Sequence, residues 1–187
     1  MPAVAGCGSS STGSPTSPSN LNAAPTPAGA GQQRFSAAGI ALHFSYPSAL
    51  RPTPLAPSRR VAGSTSNSTH AAVGVGPYDL LIVSHFPNLG ISVTAANIAR
   101  LAPGIDQIFS QVAGRAMRGT IGTVGGLPAL SFPPFAVQGL PVAATARVTN
   151  VFTGRNEYEL QCQSTPAHRA IIAQACAQML ATVSTTP

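Results

Sequence analysis

The chain has 187 residues, which is long enough for one domain and a tail, and 44% of them are hydrophobic. Only 7% are charged; there are ten basic residues, all of them arginine, and four acidic residues. A net charge of +6 would suit a nucleic-acid partner, but the arginines are scattered along the chain rather than clustered. The sequence therefore argues against nucleic-acid binding.

The N-terminal residues 1–7 end in VAGC, with Cys7 followed by a tract rich in Ser, Thr, Pro and Gly. This segment resembles the end of a bacterial lipoprotein signal peptide, whose small residues fit the signal peptidase and whose cysteine receives the lipid. Residues 8–33 show no apolar periodicity and predict a flexible, disordered linker. The alternative is a dispensable tail in which Cys7 is a free thiol.

Residues 34–187 are predicted to form the folded domain. Its first strands are expected at residues 35–37 and 40–46, as a hairpin. After a proline-rich loop, residues 71–75 predict a weak strand and residues 78–86 a strong one. The strong strand has apolar side chains on both faces, which is typical of a central strand covered on each side.

The middle of the chain changes to a helical pattern and then returns to strands. Residues 94–101 predict a short helix capped by Thr94, which Pro103-Gly104 would end. A second helix is expected to follow, with one apolar face made of Ile105, Ile108, Phe109 and Val112. Three strands are expected next, at residues 116–124, 127–132 and 141–152, with Gly125-Gly126 in the first turn.

The C-terminal residues 156–183 predict a strand, a tight corner and a long helix. Alternation along the strand places Tyr158, Leu160 and Cys162 on an inward face. It places Glu157 and Glu159 on the other face, which we expect to be exposed to solvent.

The final helix is expected to begin at Pro166, with Ser164 or Thr165 supplying a capping oxygen. Helical spacing gives it an apolar stripe. That stripe consists of Ile172, Cys176, Met179 and Val183, backed by Ile171, Ala175 and Leu180.

Cys162 and Cys176 both fall on inward faces, so the two sulfurs can meet. A bridge between them would close a loop of about 15 residues, worth about 3 kcal/mol in the chain-entropy model. Such a bridge requires an oxidising compartment. Two reduced core cysteines and a redox pair are the alternatives.

The order of elements, together with FSYP at residues 44–47, GLPA at 126–129 and YELQC at 158–162 followed by Cys176, resembles the actinobacterial LpqN/LpqT lipoproteins. The resemblance spans residues 34–184, and it implies an α+β fold similar to PsbP-like domains. That fold is an antiparallel β-sheet flanked by helices. The resemblance also implies a lipid-anchored (palmitate-bearing) protein on the extracytoplasmic face of the cell membrane, and it supplies no catalytic residues.

Catalytic and metal chemistry find little support in the residue pattern. The histidines lack a ligand spacing, so no metal and no cofactor are expected; they are His43, His70, His85 and His168. Residues 90–94 begin like a nucleophile elbow but lack its final glycine. Two solvent-exposed glutamates would not provide acid–base catalysis, so we expect no enzyme activity.

The sequence thus predicts a non-enzymatic binding or accessory lipoprotein, attached to the membrane through Cys7 and meeting a protein partner or a lipid ligand. One alternative is a carrier that holds an apolar small molecule or lipid between sheet and helices. Its candidate contacts, which are equally compatible with a core, are Phe109, Phe132, Phe135 and Leu140. A second alternative is an extracytoplasmic hydrolase. No run of about 18 apolar residues predicts a membrane span.

Overall fold

The structure, a computed structural model, describes residues 31–55 and 67–185. The predicted lipid site Cys7 and most of the predicted linker lie outside these residues. In the described part the elements follow the order β1 (Gln32–Ala37), β2 (Ile40–Pro47), β3 (Arg51–Pro52), β4 (Thr69–Gly74), β5 (Leu80–Phe86), α1 (Ile98–Ala113), β6 (Thr120–Val124), β7 (Leu127–Ser131), β8 (Phe135–Ala136), β9 (Thr145–Thr153), β10 (Asn156–Ser164), a 3₁₀ turn (Pro166–His168) and α2 (Arg169–Thr182).

Eight of these strands form one antiparallel sheet. Its order is β3-β4-β5-β10-β9-β7-β6, with β8 beside β9, so the last strand of the chain lies at the centre. β1 and β2 form a separate hairpin, as predicted. The expected fold class, an α+β fold with an antiparallel sheet flanked by helices, is confirmed.

The hairpin and α2 cover one face of the sheet, which we call the α2 side. Phe44 of β2, Leu160 of β10 and Met179 of α2 are each at most 2% exposed there and belong to one continuous apolar cluster. Burying a side chain of this size stabilises a fold by about 1.5–3 kcal/mol. This cluster is therefore the main core of the protein.

The opposite face, which we call the α1 side, carries a second core. Phe109 of α1 packs between Phe132 and Phe135, with ring centroids 4.3 and 6.2 Å away. Val148 and Phe152 of β9 complete the floor of this cluster. The sheet is therefore covered on both faces, as the double-sided apolar pattern of β5 predicts.

The predicted break at Pro103-Gly104 is wrong, because α1 runs without interruption from Ile98 to Ala113. Pro103 has no N–H to bond the carbonyl of Ala99, four residues earlier in the helix. Both residues are exposed, so water can bond this carbonyl instead. The helix also does not begin at Thr94: its N-cap is Asn97, whose side chain accepts a bond from the Thr94 amide at 2.7 Å.

The predicted apolar face of α1 is only half correct. Phe109 is buried and Ile105 packs against the core, whereas Ile108 and Val112 are 42% and 39% exposed. Ile98 and Leu101, rather than Ile108 and Val112, pack toward the sheet together with Ile105 and Phe109.

The start of α2 differs from the predicted cap. A 3₁₀ turn from Pro166 to His168 precedes the α-helix, and Thr165 makes no capping bond with its side chain. Instead Asp79 accepts bonds from the Thr165 amide at 2.6 Å, the Thr165 hydroxyl at 2.9 Å and His168 Nδ1 at 3.0 Å. The buried carboxylate of Asp79, immediately before β5, therefore accepts the hydrogen bonds that the residues at the start of this helical segment donate.

The inward stripe of α2 is confirmed in its main members. These are Ile172, Cys176, Met179 and Val183, all buried to at least 95%. Ala175 is also buried, but Ile171 is 43% exposed and does not support the stripe.

The far end of α2 is fixed by the sheet and the hairpin. Gly125, in the predicted two-glycine turn between β6 and β7, has φ +58°, and a Cβ at this position would collide with the Val183 carbonyl. Ser184 pairs with His43 through two 2.8 Å backbone bonds. None of the helices in residues 31–55 and 67–185 is long and apolar enough to cross a membrane.

Candidate functional site

The central strand β10 carries a polar row on its α1 side. Alternation places Glu157, Glu159, Gln161 and Gln163 there, while Leu160 faces the α2 core. Glu159 is only 3% exposed, and Glu157 is partly buried. The expectation that these glutamates face solvent is wrong, because β10 lies at the centre of a sheet that is covered on both faces.

Neighbouring strands place further polar groups beside the two carboxyls. Glu159 lies in register with Ser84 on β5 and Asn150 on β9, and directly opposite side chains in a sheet are within contact range. Asn150 Nδ2 donates a 2.6 Å bond to Glu157 Oε1. Asn150 Oδ1 and Ser84 Oγ are buried, and no described residue forms a hydrogen bond with either atom. The cluster therefore holds more hydrogen-bond acceptors than the described part of the chain satisfies.

Burial changes the acidity of both carboxyl groups. Removal from water raises the pKa of Glu157 from its ordinary 4.5 to about 7. Burial, with a smaller contribution from the neighbouring Glu157, raises the pKa of Glu159 to about 8. Both groups therefore titrate near neutral pH, where small changes in their surroundings alter their charge.

These carboxyls open into a cavity of about 220 Å³, which we call the acidic cavity. Its walls come from the loop after β5 and from α1. They consist of Phe86, Pro87, Asn88, Leu89, Ile105, Ile108 and Phe109, and Glu157, Glu159 and Asn150 complete the lining. Arg155 holds the loop in place, since its Nε donates to the Leu89 carbonyl at 3.0 Å.

A larger groove of about 450 Å³ lies on the other face of the sheet, between α2 and the first half of β9; we call it the α2 groove. Its floor is apolar and includes Ile172 and both Cys162 and Cys176. Arg147 of β9 and Arg169 of α2 line it as well. The groove thus combines apolar surface with two positive charges.

The predicted disulfide forms part of the floor of this groove. Cys162 and Cys176 are joined, with their Cα atoms 5.8 Å apart, and the bond connects β10 to α2. Both residues are at most 7% exposed. The bridge therefore fixes the helix that forms one wall of the groove.

The predicted apolar ligand contacts are only partly brought together. Phe109, Phe132 and Phe135 pack on one another in the α1-side core, and none of them lines the α2 groove. Leu140 is partly buried in the segment between β8 and β9. Phe109 also contributes one wall of the acidic cavity.

The histidines are engaged in structural contacts. His85 stacks on Tyr158 at 4.7 Å and bonds the Gly39 carbonyl at 2.8 Å, while His168 binds Asp79. Within the described ranges, no three His, Cys, Asp or Glu residues are grouped so that they could hold a metal ion.

No known family model matches the sequence, and no curated protein matches it. Solved structures are nevertheless similar in fold. A Bacteroides thetaiotaomicron crystal structure superposes with a TM-score of 0.52 and 12% identity, over 82% of this chain and 48% of that one. The present chain therefore spans about half the length of that protein.

Two further structures belong to the families that the sequence resembles. LpqN of Mycobacterium tuberculosis, described as involved in cell envelope biogenesis, has a TM-score of 0.49 and 15% identity, over 83% of this chain and 92% of its own. Cyanobacterial PsbP from Synechocystis sp. PCC 6803 has a TM-score of 0.43 and 12% identity, over 88% and 98%. At such identities these likenesses concern the fold alone.

Proposed function

We propose that this chain is a lipid-anchored, extracytoplasmic binding domain without catalytic activity, which holds an anionic amphiphile in the α2 groove. The observation that carries the proposal is the pairing, in one groove, of an apolar floor with Arg147 and Arg169. An amphiphile with an acidic head group matches both features.

The apolar part of the groove suits a hydrocarbon chain. Ala173, Ala177 and Leu180 of α2 line it at helical spacing, above Ile172. Apart from Arg169, the polar residues of α2 are uncharged, and they are Gln174, Gln178 and Thr182. A helix that is apolar on most of its circumference is normally covered, and a bound chain would cover its outer side.

The two arginines suit the head group. Arg147 and Arg169 are both exposed, and in the described part of the chain neither forms an ion pair. A guanidinium binds carboxylate or phosphate through two parallel hydrogen bonds, which an ammonium cannot do. The net charge of +6 adds a general attraction for anions.

The proposed location rests on Cys7 and on the disulfide. A lipidated Cys7 would tether the domain to the outer face of the membrane, and a bridge between Cys162 and Cys176 is stable in an oxidising compartment. In the native host, Cys7→Ser expressed from its own gene should lose palmitate label and appear in the medium. Equal retention of the variant in the membrane would contradict the anchor.

Native mass spectrometry of the full chain with dodecyl phosphate tests the binding site. We expect the wild-type protein to bind one molecule. The double variant Arg147→Gln/Arg169→Gln should bind dodecyl phosphate at least about tenfold more weakly. The control variant Arg100→Gln, on the exposed surface of α1, should bind it as tightly as the wild type. Ala177→Trp should block the groove sterically.

Two outcomes would contradict the proposal. Equal binding of dodecyltrimethylammonium would show that the arginines do not select an acidic head group. Turnover in a broad screen of ester and peptide substrates would favour the hydrolase alternative instead.

A further inference from the structure

The acidic cavity lies on the opposite face of the sheet from the α2 groove and has no part in the function proposed above. Glu157, Glu159 and Asn150 converge on it, and the Oδ1 of the 1% exposed Asn150 has no hydrogen-bond partner within residues 31–55 and 67–185. A buried acceptor that makes no hydrogen bond destabilises the folded protein. A ligand that donates hydrogen bonds would recover this loss.

The lining of the cavity, as far as residues 31–55 and 67–185 form it, carries no compensating positive charge. No arginine or histidine of these ranges lines it, although the chain carries ten arginines. Each of its four polar side chains, those of Asn88, Asn150, Glu157 and Glu159, offers an acceptor oxygen, and the two glutamates become negative when ionised. A buried negative charge without a partner is strongly unfavourable, so the ligand that would stabilise the ionised carboxyls is a cation that donates hydrogen bonds.

We propose that the acidic cavity binds a small organic amine, whose ammonium group donates hydrogen bonds to Glu159, Glu157 and Asn150 Oδ1. Its carbon skeleton lies against the apolar walls formed by Phe109, Leu89 and neighbouring residues. The volume of about 220 Å³ is smaller than the roughly 300–1,000 Å³ of pockets that take drug-sized ligands, so the amine is short.

A divalent cation fits the same cavity less well. Calcium takes about six to eight oxygen ligands, and magnesium needs near-octahedral geometry. The cavity supplies two carboxyls and the amides of Asn88 and Asn150, and the rest of its lining is apolar. Apolar walls can contact the carbons of an amine, but they cannot replace the hydration shell of a metal ion.

Binding of the amine is coupled to proton release. Burial raises the pKa of both glutamates, so the empty cavity is largely protonated below neutral pH. An ammonium group favours the ionised carboxyls, so affinity rises as pH increases from about 6 to 8.5, below the amine's own pKa near 10.

Other charged groups near the cavity are directed elsewhere. On α1, Asp106 accepts a 2.8 Å bond from the Gly119 amide. Next to the loop, Arg155 binds the Leu89 carbonyl, and on the strands His85 and Arg147 lie on the α2 side. On β4, His70 lies opposite Ser84 with its ring edge-on to Phe86 of the cavity wall at 6.1 Å, and burial lowers the pKa of its imidazole from 6.5. His70 is therefore neutral where the carboxyls ionise, and the pH dependence between about 6.5 and 8.5 is that of the two glutamates.

Isothermal titration calorimetry of the full chain with n-butylamine tests the proposal, with n-butanol as a neutral probe of similar shape and calcium chloride as the metal probe. We expect n-butylamine to bind at about pH 8.5 and to bind at least about tenfold more weakly at pH 6. Titrations in buffers of different ionisation enthalpy should show protons released on binding.

Glu159→Gln should weaken n-butylamine binding by at least about tenfold, since a charge-assisted bond is lost. The matched control is Asp106→Asn, which removes one acid from α1 outside the cavity and should bind normally. Ile108→Trp, at the 42% exposed edge of the cavity, should block binding while keeping both carboxyls.

Three outcomes would overturn the proposal. They are no binding of n-butylamine to the folded wild-type protein, equal binding of n-butanol, and calcium binding that depends on Glu159 while n-butylamine fails to bind. Because the α2 groove is not involved, dodecyl phosphate binding should be unchanged in Glu159→Gln. The two proposals can therefore fail independently.

Discussion

Glu159 shows how position in a sheet can change the chemistry of an ordinary residue. Its side chain follows the alternation of β10 as expected from sequence, and the direction in which it points is predicted correctly. The burial of the Glu159 side chain is not predicted from the sequence. It depends on the pairing of β5 and β9 with the two edges of β10 and on α1, which covers that face of the sheet. No local pattern in residues 156–164 reports those neighbours.

The stability of the protein should depend on pH through Glu159. Its pKa in the folded protein, about 8, lies above the ordinary 4.5, so the folded state holds the proton more tightly. This contribution is complete below about pH 4.5 and is lost as pH rises through 8. The free energy of unfolding should therefore fall by on the order of 2–4 kcal/mol between about pH 5 and pH 9.

Urea unfolding at several pH values measures this dependence. Glu159→Gln cannot ionise and should retain only the smaller slope due to Glu157, which makes the variant more stable than wild type at high pH. Gln161→Asn, two residues along the same face, should keep the wild-type slope. A wild-type slope in Glu159→Gln would show that this carboxyl does not titrate as its burial requires.

At the scale of elements, α2 depends on contacts with the rest of the protein. It has no acidic residue in its first turn and no basic residue in its last, and it lacks a side-chain N-cap of its own. Asp79 holds its beginning, the disulfide holds its middle, and its end is held where Thr182 Oγ1 accepts a 2.8 Å bond from the Ser45 amide. Its apolar stripe was predictable from helical spacing; these attachments were not, since each joins residues distant in sequence.

Asp79→Ala should test the first of these attachments. Removing a 5% exposed carboxylate leaves the Thr165 amide and hydroxyl without their partner, and we expect a loss of about 2–4 kcal/mol in the free energy of unfolding. His168→Ala removes only the 42% exposed partner and should cost less than about 1 kcal/mol. Equal effects of both changes on urea unfolding would contradict this assignment.

Helix α1 illustrates why a breaker in the sequence is not always a boundary. Pro103 and Gly104 normally end helices, yet both lie on the exposed side, where water satisfies the carbonyl that Pro103 leaves free. The packing of Ile98 and Phe109 against the sheet holds the two halves in line. Local propensity is overridden here by contacts that the sequence does not display.

At the scale of the whole molecule, a central sheet separates two sites of opposite character. The α2 groove carries two arginines, and the acidic cavity carries two glutamates, although both use β10 or its neighbour β9 as a floor. Because side chains alternate between the two faces of β9 and β10, these two strands contribute residues to both the α2 groove and the acidic cavity. The sequence was sufficient for the strand pattern and fold class, but the pairing order of the strands was needed to locate either site.

The disulfide ties the α2 layer to the sheet and should matter for the whole fold. It joins residues 14 apart in sequence, and closing a loop of this length is worth about 3 kcal/mol in the chain-entropy model. Cys162→Ala/Cys176→Ala should therefore lose about 3 kcal/mol in guanidinium unfolding. Reducing the wild type should lower its stability by a similar amount and leave the variant unchanged. A variant as stable as the oxidised wild type would contradict a structural role.

The interior proline of α1 has a consequence for access to the acidic cavity. The first half of this helix lacks one backbone hydrogen bond and includes Gly104, whereas the second half carries Ile108 and Phe109 of the cavity wall. Residues 98–104 should therefore unravel locally at a lower free energy than residues 105–113. In hydrogen–deuterium exchange, amides of residues 98–104 should take up deuterium sooner, so the two turns that precede the cavity-wall residue Ile105 should open first.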